Sequence, residues 1–134
     1  MTDPAIPRRG FLRALVYLVT CSDAIGKLCP VPSALDPLAA RLAQFHWHNQ
    51  SAAVVGLEYL RSVPREADVQ LLVDLICSFT ADWRTELTQA NGPTLRNLLA
   101  LQQRQDFEHG RILNVRGWIL SATEVRLCAL AALV

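Results

Sequence analysis

The chain has 134 residues and a net charge of +1, from 13 basic and 12 acidic side chains. Apolar residues make up 51% and charged residues 19%, which excludes a disordered chain and fits one domain with a core of its own. The near-zero charge excludes the basic footprint of a nucleic-acid binder, and no apolar run reaches the ~20 residues a membrane-spanning helix needs.

Charge is unevenly placed. Residues 1–34 hold Arg8, Arg9, Arg13 and Lys27 against Asp3 and Asp23, whereas every cation after them is Arg. The cations precede the apolar run Ala14-Leu15-Val16-Tyr17-Leu18-Val19, which is the order of an export leader. Within Pro7-Arg8-Arg9-Gly10-Phe11-Leu12-Arg13, the residues Arg8, Arg9, Phe11 and Leu12 resemble in register the twin-arginine signal, an address read by a translocase that carries folded proteins. Arg13 replaces the usual Lys, and Pro7 departs from the usual Ser or Thr. Leu18-Val19-Thr20-Cys21 resembles a lipoprotein box with Cys21 as the lipidated residue, Thr20 being a poor fit there. Pro30, Pro32 and Pro37 break any continuing helix, so residues 1–34 read as a leader and residues 35–134 as the folded domain.

From Asp36 the pattern is helical. Asp36-Pro37 reads as N-cap and N1 of a first helix whose apolar face is Leu38, Leu42 and Phe45. That helix frays near His48-Asn49-Gln50, and Ser51 would cap the second. Gly56 lies inside the second helix, where it costs up to ~1 kcal/mol against Ala, so close packing of a neighbouring helix is expected there. Val63-Pro64 separates a third helix, with Glu66 and Asp68 expected in its first turn. Its stripe of Val69, Leu72, Val73 and Ile76, widened by Leu71 and Leu75, predicts a central position.

Segment 81–90 reads as a weak helix and Asn91-Gly92-Pro93 as a break. A further helix runs from Leu95 to Gly110, its C-terminal cap. Ile112–Val115 reads as extended, with a turn at Gly117-Trp118. Ser121-Ala122-Thr123-Glu124 fits a capping box ahead of an almost wholly apolar last helix, Val125–Leu133. So apolar a helix must dock, in this core or on a partner. The expected fold is all-α: a single small bundle of five or six short helices with a short extended segment before the last.

Chemistry-bearing residues are sparse. Cys21, Cys29, Cys77 and Cys128 show neither C-x-x-C nor zinc spacing. Cys77 and Cys128 fall on apolar helix faces and read as core, although a disulfide is open to them, as it is to Cys21 with Cys29. His46 and His48 flank Trp47; on a helix they would diverge, and a metal site would need His109, Asp106 or Glu108 as a third ligand. His109 near a helix end suits the dipole, and Glu108 beside it would be a poor acid–base partner, because adjacent helical residues do not face each other. No P-loop, nucleophile elbow, dinucleotide fingerprint or C-x-x-C-H is present, and no cofactor is expected. Trp47, Trp83 and Trp118 are core or interface candidates.

A twin-arginine leader on a short, helical, motif-free body resembles the small accessory subunit of membrane-associated periplasmic dehydrogenases, such as the flavin-dependent sugar and sugar-acid enzymes. The resemblance implies a non-catalytic escort, exported folded and docked on a larger oxidoreductase subunit, periplasmic or attached to the periplasmic side of the membrane. It lies in residues 8–13 and the helical character of the rest. Trp118, Leu127 and Leu130 are the expected docking residues. Two alternatives stand beside it: a small metal- or cofactor-binding enzyme using His46, His48 and His109, and a cytosolic helical interaction module whose basic N-terminus is an ordinary amphipathic helix.

Overall fold

The computed structural model describes residues 35–46 and 49–134. The expected export-signal residues Arg8, Arg9, Phe11 and Leu12, the lipidation candidate Cys21, Cys29, and Trp47 with His48 lie outside them. Among the described residues the structure is six α-helices and one short hairpin, the small helical bundle expected, and no helix is long and apolar enough to cross a membrane.

Capping chemistry sets most boundaries. Asp36 opens α1 (Pro37–Ala43): its carboxylate accepts from the Leu38 amide at 2.9 Å and Pro37 takes N1. α1 stops before Phe45, and α2 (Asn49–Ser62) begins ahead of Ser51, so Ser51 does not cap it. A 3-10 turn follows at Pro64–Glu66. Asp68 is the N-cap of α3 (Val69–Cys77) rather than part of its first turn, and accepts from the Leu71 amide at 2.7 Å. Glu66 stays outside that helix, accepting from the Tyr59 hydroxyl and pairing with Arg126 Nε at 3.3 Å.

After α4 (Trp83–Gln89), Asn91 does more than break the chain. Its side chain accepts from the Thr94 amide at 2.9 Å, so Asn91-Gly92-Pro93 launches α5 (Gly92–Glu108). α5 ends in a Schellman motif: His109 is the C-cap, Gly110 adopts φ +68°, and the Gly110 and Arg111 amides donate back to the Phe107 and Asp106 carbonyls.

The turn expected at Gly117-Trp118 lies one residue earlier. Strands β1 (Ile112–Val115) and β2 (Trp118–Ser121) pair antiparallel, from Ile112 opposite Ser121 to Val115 opposite Trp118. Arg116 at φ +52° and Gly117 at φ +90° fill a two-residue turn, in which both positions need positive φ to match the strand twist. The Gly117 amide donates to Asn114 Oδ1 at 2.7 Å, closing it. Ser121 then caps α6 (Ala122–Leu133), accepting from the Glu124 amide at 3.0 Å as the capping box predicts.

The central element is α6, not α3. It packs against α1, α2, α3, α5 and both strands, and buries Val125, Leu127, Ala129 and Leu130 completely. Its apolar circumference therefore serves this chain's own core. The α3 stripe does enter that core through Leu72, Val73 and Ile76, but Leu71 is exposed. Gly56 meets its expected neighbour: a Cβ there would stand 2.1 Å from the Cys128 carbonyl oxygen and 2.7 Å from the Ala129 nitrogen. α2 and α6 thus touch backbone to backbone.

Two buried polar side chains tie the elements together. Gln102 accepts from Trp83 Nε1 at 2.6 Å and donates to the Ile76 carbonyl at 2.8 Å, joining α5 to α4 and α3. Asp106 accepts from Arg111 Nε and from the Thr123 amide, both at 2.8 Å, so one carboxylate holds the end of α5, the start of the hairpin and the first turn of α6. Burial alone would raise its pKa; the hydrogen bonds from Thr123 and Arg111 outweigh that and hold it below the usual carboxylate value.

Candidate functional site

An open pocket of about 540 Å³ lies where α2, β2 and α6 meet. Strand alternation puts Trp118 and Leu120 on one face of β2, and helical spacing puts Glu124 and Cys128 on one face of α6. Ser51, Ala52 and Val55 from the start of α2, and His46 from the segment before it, complete the wall. Trp118 is 70% exposed. Its hairpin is braced against α2 by Arg116 Nε on Glu58 Oε2 at 2.9 Å. Val54, one step round α2 from the lining residues, adds further exposed apolar surface.

At the back of the pocket, Cys128 Sγ lies 3.5 Å from His46 Nε2. Burial lowers the His46 pKa and Glu124 only partly opposes it, so the imidazole is neutral at pH 7. Burial, reinforced by Glu124, pushes the Cys128 thiol up to about 12. At neutral pH the pair is thiol and neutral imidazole, so it is not a thiolate nucleophile activated by a charged base. The Phe45 ring stands edge-on to His46, centroids 5.5 Å apart.

The expected site residues fall in different places. Of the docking trio, only Trp118 is accessible. Leu127 and Leu130 are fully buried in the core, because α6 spends its apolar faces on four other helices; neither belongs to an exterior surface of this fold. His46 and His109 are not brought together. His109 lines a second cleft, of about 420 Å³, with Gln102, Gln105, Asp106 and Arg126, and its Nδ1 bonds the Gln105 carbonyl at 2.8 Å. That bond and its C-cap position give His109 the helix-terminating role its position suggests. Cys77 and Cys128 are free and buried. Among the described residues no group of three His, Cys, Asp or Glu side chains is placed to hold a metal ion.

The chain matches no protein family, no curated protein and no solved structure.

Sequence reasoning did not connect Glu124 and Cys128 with His46. Their Glu-x-x-x-Cys spacing places the first two on one helix face, but Glu124 also completes a capping box and Cys128 also fits a core stripe. The long-range approach of His46 to α6 has no local signature.

Proposed function

We propose that this chain is a non-catalytic accessory subunit, exported folded on its twin-arginine leader, that docks on a larger redox enzyme through the face around Trp118. The observation that carries the docking half is the position of that indole: 70% exposed, at the mouth of an apolar-walled pocket, on a braced hairpin. A large aromatic side chain has few rotatable bonds, so it loses little conformational entropy on binding and gains much contact area, which is why Trp is enriched at interface hot spots. Support for the export half is the register of Arg8, Arg9, Phe11 and Leu12 ahead of an apolar run.

Affinity capture of the tagged chain from its native host tests docking. Wild type should retain a large oxidoreductase subunit, and Trp118→Ala should lose it, with at least ~2 kcal/mol or about thirtyfold weaker binding. Equal capture by Trp118→Ala moves the docking face elsewhere. Replacing Arg8 and Arg9 together by Lys should abolish accumulation in the periplasmic fraction. Unchanged export, or a chain found only in the cytosol with Met1 intact, favours the cytosolic interaction module instead.

A further inference from the structure

We infer that the cleft lined by α3, α5 and α6 binds the carboxylate of a small organic acid. Its volume of about 420 Å³ is that of a metabolite-sized site. Two guanidinium groups line it, Arg111 just ahead of β1 and Arg126 on α6. They rise from one corner of the fold: the Ala122 amide donates to the Arg111 carbonyl at 2.9 Å, and Arg126 follows Ala122 by one helical turn. Both also line a neighbouring cleft of about 260 Å³, so they stand together as the wall between the two.

Each arginine is already positioned by a carboxylate. Arg111 meets Asp106 Oδ1 through Nε at 2.8 Å, and Arg126 meets Glu66 Oε2 through Nε at 3.3 Å, beside the Tyr59 hydroxyl. Engagement at Nε takes one of the five N–H donors of a guanidinium. Among the described residues, the terminal amino groups of Arg111 have no hydrogen-bond partner. The carboxylates lie deeper than the arginines: Asp106 and Glu66 side chains are 4% and 12% exposed, against 46% and 22% for Arg111 and Arg126. An anion arriving from solvent therefore meets the cations first. Asp106 does not compete for them further, because its second oxygen is held by the Thr123 amide.

The same groups select the ligand. A planar guanidinium edge matches the two oxygens of a carboxylate. Arg65 stands beside Glu66 and lines the neighbouring cleft, so Arg65, Arg111 and Arg126 against Asp106 and Glu66 leave one net positive charge. One charge suits a monocarboxylate better than a doubly charged phosphate ester. Leu75 and Phe79 give the carbon skeleton an apolar wall, and the Thr80 hydroxyl and Gln105 amide offer further hydrogen bonds.

The probe is benzoate, titrated into the full chain in low-salt buffer and followed by the Nε–Hε NMR signals of the arginines. The signals of Arg111 and Arg126 should shift saturably with a dissociation constant on the order of 1 mM. Neutral benzamide, of the same shape, should bind at least about tenfold more weakly. Arg111→Lys and Arg126→Lys keep the charge and remove the fork, and each should weaken benzoate about tenfold. Arg104→Gln and Trp118→Ala should bind as wild type does, because neither side chain lines the cleft. The comparison of benzoate with benzamide needs no variant, so it stands even if a Lys variant does not fold. No saturable shift, equal binding of benzamide, or benzoate binding unaltered by both Lys variants overturns the inference. Inorganic phosphate binding more tightly than benzoate overturns the assignment to a carboxylate. Trp118 lines a different pocket, so the outcome is independent of whether the chain docks on an oxidoreductase.

Discussion

Gly56→Ala sets two physical effects against each other. As a helix-interior substitution, Ala gains roughly 0.5–1 kcal/mol over Gly from backbone entropy. The added Cβ, however, would lie 2.1 Å from the Cys128 carbonyl oxygen and 2.4 Å from its carbon. Both are backbone atoms of α6, so no rotamer change relieves the clash. To restore an ordinary 3.4 Å contact from 2.1 Å, one helix must withdraw by about 1.3 Å. That displacement loosens side chains along the whole α2–α6 contact. Overpacking costs typically 1–3 kcal/mol, and a rigid obstacle puts this site at the upper end. After the propensity gain, net destabilisation of about 2 kcal/mol is expected, a large share of the 5–15 kcal/mol that holds a domain. Urea unfolding followed by circular dichroism should show the midpoint falling by about 1 M at unchanged slope. Gly92→Ala is the control, because nothing lies within 4 Å of a Cβ there; it should be neutral or slightly stabilising. Gly56→Ala at or above wild-type stability would refute the close contact.

Asp106→Asn should destabilise by about 1–3 kcal/mol, since a neutral amide serves Arg111 and the Thr123 amide less well. Because the folded Asp106 pKa lies below the unfolded value, the stability contributed by its charge is complete above about pH 4 and is lost as pH falls through the folded pKa; a denaturation series from pH 7 to pH 2 should show the Asn variant converging on wild type at the acid end. Gln102→Leu leaves the Trp83 indole N–H and the Ile76 carbonyl without their partner and should cost about 2–3 kcal/mol, whereas adding Trp83→Phe should cost less than the sum of the singles in a double-mutant cycle. Leu127→Ala should cost about 2–5 kcal/mol in thermal or urea unfolding, while Trp118→Ala should stay within about 0.5 kcal/mol; the reverse order would place Trp118 in the core and remove it from any docking face.

The fold was legible where local chemistry decides it. Asp36-Pro37, Ser121 with Glu124, and Gly110 each act at the helix end their residue type predicts, because capping needs only near neighbours. Gly56 was legible as an anomaly, a helix-weakening residue that close packing explains. The second strand was not legible: Trp118–Ser121 is four residues long, and its pairing depends on a positive φ at Arg116, which an Arg side chain does not advertise. Centrality was misplaced for a similar reason. α3 and α6 are both apolar stripes, and only long-range packing distinguishes the hub from the spoke. In the pocket, Trp118 was legible as a large aromatic beside a turn. Leu127 and Leu130 look identical in sequence whether a helix is covered by its own chain or by another, and the Cys128–His46 contact spans 82 positions.

The hub helix is also the last element to be synthesised among those described. α1, α2 and α3 leave the ribosome with their apolar faces uncovered, because the surface that covers them is residues 122–133. The core that α6 covers closes only once residues 122–133 are available, so a chain truncated before α6 is expected to lack cooperative unfolding. Adding residues 122–133 as a separate peptide to such a fragment should restore the helical core only by packing along α1, α2 and α3 together.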